Sequence, residues 1–285
     1  MSAGYLMFAY NSGTILYGSL AVANACLIKR NCKNGLVALV TDDKTVSAIE
    51  KSHGKLDRFF DHVIIDPVDR KVPIREFQDT RHSSDKVPYL NSNRSSAFDL
   101  TPFDETLMLD VDYLMLDNTM DLVWGSAEDL MCNSRIIDIE YNDCVSRMHD
   151  MSIPVYWATA VYFQKTHRVK TLFDHMKFIK ENYLYYMDVY GFNHGPYFRN
   201  DFAISIALHE MNGFLEKDAV ASLPVDHIFF GDSFDEIHGY DGSLLITSEK
   251  QQDVFIPHRI SRNIHVMNKK ALQRKCKEII DASSP

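Results

Sequence analysis

Two acids one residue apart, Asp110 and Asp112, lie in the most apolar stretch of the chain, Thr106 to Leu116 (TLMLDVDYLML). Side chains alternate along a strand, so this spacing predicts two carboxylates on one face. Both cannot stay ionised in an apolar setting unaided, because unrelieved desolvation costs several kcal/mol per ion. Three remedies exist: one acid takes a proton, basic side chains pair with them, or a divalent cation binds. Oxygen ligands suit Mg²⁺ or Mn²⁺, which commonly take one or two carboxylates plus substrate phosphates. The plainer alternative ends the strand at Asp110 and leaves the acids as solvated turn residues. Against it, Leu114, Met115 and Leu116 continue the apolar pattern past the acids, and Pro102-Phe103-Asp104 sets a turn just before the strand.

The elements that must hold such a pair are legible on either side. Tyr5 to Ala9 reads as a first strand, followed by the turn Tyr10-Asn11-Ser12-Gly13 and a helix over Leu16 to Ile28. Leu36 to Val40 is a second strand ending in Thr41-Asp42-Asp43, Lys44 to Lys51 a helix, and His62 to Ile65 a third strand. Strands alternating with helices at this spacing predict parallel βαβ units, and so an α/β fold with a mainly parallel, doubly wound sheet flanked by helices. Asp69 to Asn93 reads as a polar connection with at most a short helix. Further on, Val155 to Gln164 reads as a strand, and Thr171 to Tyr186 and Asp201 to Met211 as helices. Leu223 to Phe255 reads as short strands and loops, and Lys269 to Ala282 as a basic amphipathic helix. No linker interrupts the 285 residues, which predicts a single domain.

Composition narrows the function classes. Hydrophobic residues make up 46%, enough for a sizeable core, and no apolar run reaches the roughly 18 residues of a membrane span. Met1 to Tyr10 lacks the basic lead and long apolar run of a signal peptide. The net charge of −9 argues against a general coat for nucleic acid. Five cysteines with no C-x-x-C pair indicate neither a disulfide framework nor a zinc knuckle. A reducing, cytoplasmic setting is the expectation, in a bacterium or in the host cell of a virus.

The stretch Arg94 to Asn118, RSSAFDLTPFDETLMLDVDYLMLDN, resembles nucleotide-sugar glycosyltransferases of the GT-A fold, particularly the glycogenin-like and galactinol-synthase-like group. Those enzymes show a basic residue, a small-apolar helix and then S-P-F-D/E-x-x-L-x-L-D-x-D; here Arg94 stands 16 positions before Asp110, the separation of that pattern. The resemblance implies that the Asp110-Val111-Asp112 triplet binds Mn²⁺ or Mg²⁺ and the ribose and diphosphate of a nucleotide sugar, with a UDP-sugar as the expected donor. It implies a donor contact for Arg94, which stands where the family usually has lysine. Tyr10 to Leu20 (YNSGTILYGSL) resembles the family's first turn and helix. Tyr10, Asn11 and Ser12 end strand one and Asp42 ends strand two, where ligands of doubly wound sheets bind. The base and ribose are expected there, with Tyr17 packing near the base; ordinary packing for Tyr17 and a helix cap for Asp42 are the structural alternatives.

Downstream, Tyr156 to Phe163 (YWATAVYF) looks like the family's N-x-G-V-x-x-F strand beside the sugar, but Ala158 and Ala160 occupy the Asn and Gly positions. Asp201 resembles the family's Asp-led helix start facing the acceptor; the alternative is a plain helix cap. His265 resembles the late histidine that completes the metal shell, and it is preferred to His258 because Ile264 and Val266 set it in a short apolar strand. Lys269 and Lys270 follow, positioned for diphosphate oxygens.

The chemistry implied is metal-dependent transfer of a sugar to an acceptor hydroxyl. Inversion needs a base on the acceptor side, for which Asp201 is the candidate; retention leaves it only to position the acceptor. Glycan, protein, small polyol and modified DNA are all open as acceptors, the last as a phage-type enzyme acting on hydroxymethylated bases. A sugar nucleotidyltransferase would need a glycine-rich phosphate loop after strand one, which Gly13 and Gly18 do not supply. The non-enzymatic alternative is a carbohydrate-binding protein whose acids hold a divalent metal.

Overall fold

A computed structural model describes residues 2–66, 74–80, 83–144, 146–149, 152–191, 197–215, 219–231, 236–251 and 254–283. The chain begins with β1 (Ala3–Phe8), α1 (Tyr17–Asn31), β2 (Val37–Thr41), α2 (Asp43–His53) and β3 (His62–Ile65). A hairpin of β4 (Ile74–Thr80) and β5 (Ser83–Pro88) follows, then a 3-10 turn, Ser92–Ser96, that runs into the short α3 (Ala97–Leu100). Next come β6 (Glu105–Leu109), β7 (Tyr113–Leu114), β8 (Leu130–Cys132), β9 (Ile136–Asp138) and β10 (Ala160–Gln164). After α4 (His167–Glu181), α5 (Tyr183–Tyr190) and α6 (Asn200–Met211), the chain forms β11 (His227–Phe230), β12 (Glu236–Tyr240), β13 (Leu244–Gln251), β14 (Val254–Ile260) and β15 (Ile264–Val266). It closes with α7 (Lys269–Ser283).

Six strands form the main sheet in the order β3-β2-β1-β6-β10-β8. The first four are mutually parallel, and β10 and β8 add an antiparallel edge. The result is a mixed, mainly parallel α/β domain. Alternation along β1 divides the core: Tyr5 and Met7 face the layer containing α1 and α7, while Leu6 and Phe8 face α4 and α6. Such two-sided burial explains why the central strands are apolar throughout. Gly4 in β1 is required by close approach, since a Cβ there would meet the Phe103 ring at 2.4 Å.

The apolar run Thr106 to Leu116 is not one strand. It is β6, a turn and β7, and the two strands belong to different sheets: β7 joins β15, β11 and β9. Burial of Met115 and Leu116 by the second sheet and α1 reproduces the hydrophobic pattern of a continuous strand. The bend is fixed by Tyr113 N donating to Asp110 O at 3.1 Å. Asn24, fully buried in α1, clasps the far side: its Nδ2 donates to Tyr113 O at 2.7 Å and its Oδ1 accepts from Met115 N at 3.0 Å.

Two other expectations are corrected. The polar connection, read as carrying at most a short helix, holds two paired strands; residues 67–73 and 81–82 of it lie outside the described residues. The helix expected over Thr171 to Tyr186 is two helices, broken at Asn182, whose Nδ2 donates to Phe178 O at 2.9 Å. A side-chain amide that competes for a helix carbonyl is the usual reason Asn ends a helix.

Candidate active site

The site forms where the two sheets meet, at the carboxyl ends of β1 and β6, around a cleft of about 290 Å³. Position at strand ends is where doubly wound sheets place ligands. Asp110 leaves β6 with its N–H bonded to Thr159 O at 2.8 Å, and the turn carries Asp112 to the start of β7. There Asp112 O accepts from Val266 N at 2.9 Å, and the antiparallel pairing of β15 with β7 sets His265 opposite Tyr113. A turn and a second sheet, not strand alternation, therefore bring the acids and the histidine together. Ligand atoms of Asp110, Asp112 and His265 lie within 4.8 Å of one another.

Of the three remedies for paired acids, the structure shows basic partners. Arg94, 3% exposed in the turn before α3, places Nη1 2.9 Å from Asp110 Oδ1. Lys269, on the first turn of α7, places Nζ 2.6 Å from Asp112 Oδ2, and His265 Nε2 stands 3.5 Å from the same oxygen. The two acids respond differently. Burial pushes the Asp110 carboxyl up, with Arg94 opposing and the Asp112 charge adding to the rise. Burial also acts to raise Asp112, yet Lys269 and His265 hold it well below the usual carboxylate range.

Several polar atoms here are sealed from solvent with no hydrogen-bond partner among the described residues: Arg94 Nε and Nη2, Trp157 Nε1, and the side-chain oxygens of Asn91 and Asn200. Those four residues line the cleft. Buried polar groups are nearly always bonded, so a cluster of exceptions at one cleft marks where a ligand's polar atoms belong. His227 stands behind His265, ring centroids 5.5 Å apart; burial drives its imidazole well below the ordinary value and keeps it neutral.

The cleft brings together Tyr10, Ser12, Tyr17, Arg94, Asp110, Val111, Asp112, Asp201, His265 and Lys269 of the residues singled out from sequence. Asn11 and Asp42 do not line it. Asn11 Oδ1 accepts from Gly18 N at 2.9 Å, bracing the start of α1, and Asp42 caps α2 by accepting from Thr45 N at 2.8 Å. Asp201 lies in the first turn of α6 but caps nothing. Its Oδ1 accepts from Ala158 N at 2.9 Å, and Arg199 Nη2 pairs with its Oδ2 at 3.1 Å. Asn91, Asn200 and Trp157 were not singled out by sequence reasoning; single polar residues without a spacing pattern leave no signal, though Trp157 is one of only two tryptophans.

Two carboxylates and one imidazole at this spacing could hold one divalent ion, the carboxylates being the ligands that hard cations favour. Beside it, Arg94 offers two uncommitted N–H-bearing nitrogens suited to an anion, as guanidinium groups are to phosphate.

No family model matches the chain, and no curated protein matches it in sequence. Solved structures with a related backbone include the glycosyltransferase GlyE of Streptococcus pneumoniae, at 11% identity and a TM-score of 0.42 over 77% of this chain and 44% of that one. An active-site mutant of LgtC matches at 15% identity and a TM-score of 0.44, over 77% of this chain and 72% of that one. Mouse xyloside xylosyltransferase 1 matches at 12% identity and 0.42, over 75% and 84%. The chain thus spans less than half the length of GlyE. At these identities and scores the likeness carries no functional weight, and the function rests on the site itself.

Proposed function

We propose that the chain is a glycosyltransferase that moves a sugar from a nucleoside-diphosphate sugar to an acceptor hydroxyl. One observation carries this reading: a carboxylate–carboxylate–imidazole cluster shares a cleft with a buried arginine that still has two N–H-bearing nitrogens to give. A divalent cation followed by a diphosphate is the chemistry that uses both. Asp110, Asp112 and His265 would hold the cation, which when bound neutralises charge building on the departing diphosphate. Arg94 and Lys269, which pair with Asp110 and Asp112, would stabilise that charge from the protein side. Tyr10, Ser12 and Tyr17, at the end of β1 and start of α1, form the wall suited to base and ribose, so the nucleotide-binding half is 1–118 and the acceptor-side half 119–285. Asp201, across the cleft, faces the acceptor: it takes the hydroxyl proton in an inverting transfer and only orients the acceptor in a retaining one.

A second reading is favoured by the two ion pairs. Each acid already has a cationic partner, so Arg94 and Lys269 alone can serve the leaving diphosphate and make transfer independent of metal. Both are tested by measuring nucleoside diphosphate released from a panel of UDP- and GDP-sugars, with Mn²⁺ and then with EDTA. Release that stops with EDTA supports the first and release that persists supports the second. Binding without release from any donor would reject a transferase and leave a metal-dependent carbohydrate-binding protein. Among the described residues, no helix is long and apolar enough to cross a membrane.

A further inference from the structure

The charged end of the cleft leaves one group of polar atoms unused. Asn200 opens α6 and is 2% exposed. Its Nδ2 donates to Tyr89 Oη at 2.6 Å and to the main-chain oxygen of Asn91 at 3.0 Å. A carbonyl only accepts, so the second bond fixes which end of the amide is nitrogen and turns Oδ1 the other way. That oxygen is sealed from solvent and has no hydrogen-bond partner among the described residues; the same holds for Asn91 Oδ1. Both residues line the cleft.

These atoms divide the cleft by polarity. Arg94 presents only donors and so calls for an anion. Asn200 presents an acceptor, its nitrogen being committed to Tyr89 and Asn91, and the orphaned Asn91 Oδ1 is a second acceptor; phosphate oxygens can satisfy neither oxygen. A hydroxyl or an N–H can. Ala158 and Ala160 contribute no polar side chain, and Ala158 N–H is already taken by Asp201.

We propose that Asn91 and Asn200 act as a hydroxyl-reading pair that selects the sugar, so that donor specificity is set by the segment after β5 and the first turn of α6. The proposal rests on the nucleotide-sugar reading above. Asn200 does two things in it: its nitrogen locks the Tyr89–Asn91 segment in place, and its oxygen receives a sugar hydroxyl alongside that of Asn91. A site built to bond a hydroxyl rejects the analogue that lacks it, because its own buried group is then left unpaired.

Calorimetry with the full chain and Mn²⁺ tests this, using UDP, GDP, UDP-glucose, UDP-galactose, UDP-N-acetylglucosamine and GDP-mannose. The wild type is expected to bind one sugar nucleotide more tightly than its parent diphosphate. In Asn91→Ala and Asn200→Ala the parent diphosphate should bind as in the wild type, while the extra affinity from the sugar falls roughly tenfold. Tyr89→Phe removes one of the two bonds of the Asn200 nitrogen but leaves its bond to the Asn91 main chain and both oxygens, and should lower the sugar increment less than either alanine variant. An increment unchanged in both alanine variants overturns the proposal, as does a Tyr89→Phe loss equal to that of Asn200→Ala, which would make the amide merely structural. Should Asn200→Ala fail to fold, Asn91→Ala decides alone. Failure of every nucleotide to bind the wild type is a different result: it removes the nucleotide-sugar reading, and the proposal with it.

Discussion

At the scale of single residues, Asp112 is the group whose loss is most informative. It is buried, paired with Lys269 and close to His265, so removing it takes from the Lys269 ammonium its carboxylate partner at 2.6 Å. Breaking a buried pair typically costs about 3–5 kcal/mol; the amide loses the charge as well, but it keeps the side chain's shape and opens no cavity. Asp112→Asn is therefore the variant of choice. Its far-ultraviolet circular dichroism should match the wild type, diphosphate release should fall by about 10²–10³-fold, and Mn²⁺ should no longer add to the melting-temperature rise given by a nucleoside diphosphate. Wild-type turnover in Asp112→Asn would remove this acid from the chemistry. Asp42 provides the contrast. It was singled out with the nucleotide residues, but it caps α2 and faces no part of the cleft. Asp42→Ala should cost about 1 kcal/mol of stability in urea denaturation and leave nucleotide affinity unchanged. A drop in affinity with stability intact would return Asp42 to the binding site.

At the scale of elements, the parallel core was legible because β1 and β2 are buried on both faces and helices separate the strands; β3, a mostly exposed edge strand, was read from its short apolar run, and all three lie within a residue or two of their expected spans. The split of Thr106 to Leu116 was not legible. Hydrophobic periodicity records burial, and the residues after the turn are as buried as those before it, only against another sheet. The same blindness applies to the site. Asp110 and Asp112 declare themselves by being polar in apolar surroundings, whereas Asn91 and Asn200 stand out only when the fold shuts out their water. Packing between elements gives a test of its own. Gly4 in β1 lies against Phe103, a ring 1% exposed at the entry to β6, and a methyl group there would overlap it. Gly4→Ala should destabilise the fold by about 1–3 kcal/mol in denaturant titration. An unchanged midpoint would show that the ring has room to move.

At the scale of the whole molecule, burial predicts which surface chemistry reaches. Cys26, Cys32, Cys132 and Cys276 are buried, while Cys144 is partly exposed. Burial pushes the Cys32 and Cys276 thiols up to about 12, so at pH 8 only about one part in ten thousand of each is the reactive thiolate. Iodoacetamide at that pH should modify the native protein at Cys144 alone and the denatured protein at all five positions, as read by peptide mass. Labelling of Cys132 in the native state would mean that the β8 edge of the sheet opens. The turn between β6 and β7 has a wider consequence. Asp110 and Asp112 come from the first part of the chain, while His265, Lys269 and Asp201 come from the last, and they meet only because one bend passes the backbone from sheet to sheet. Neither portion made by itself owns a complete set of ligands. Two separately expressed pieces cut near residue 118 should each be inert towards manganese and nucleotide, and whatever competence returns on mixing them would measure how faithfully that seam re-forms.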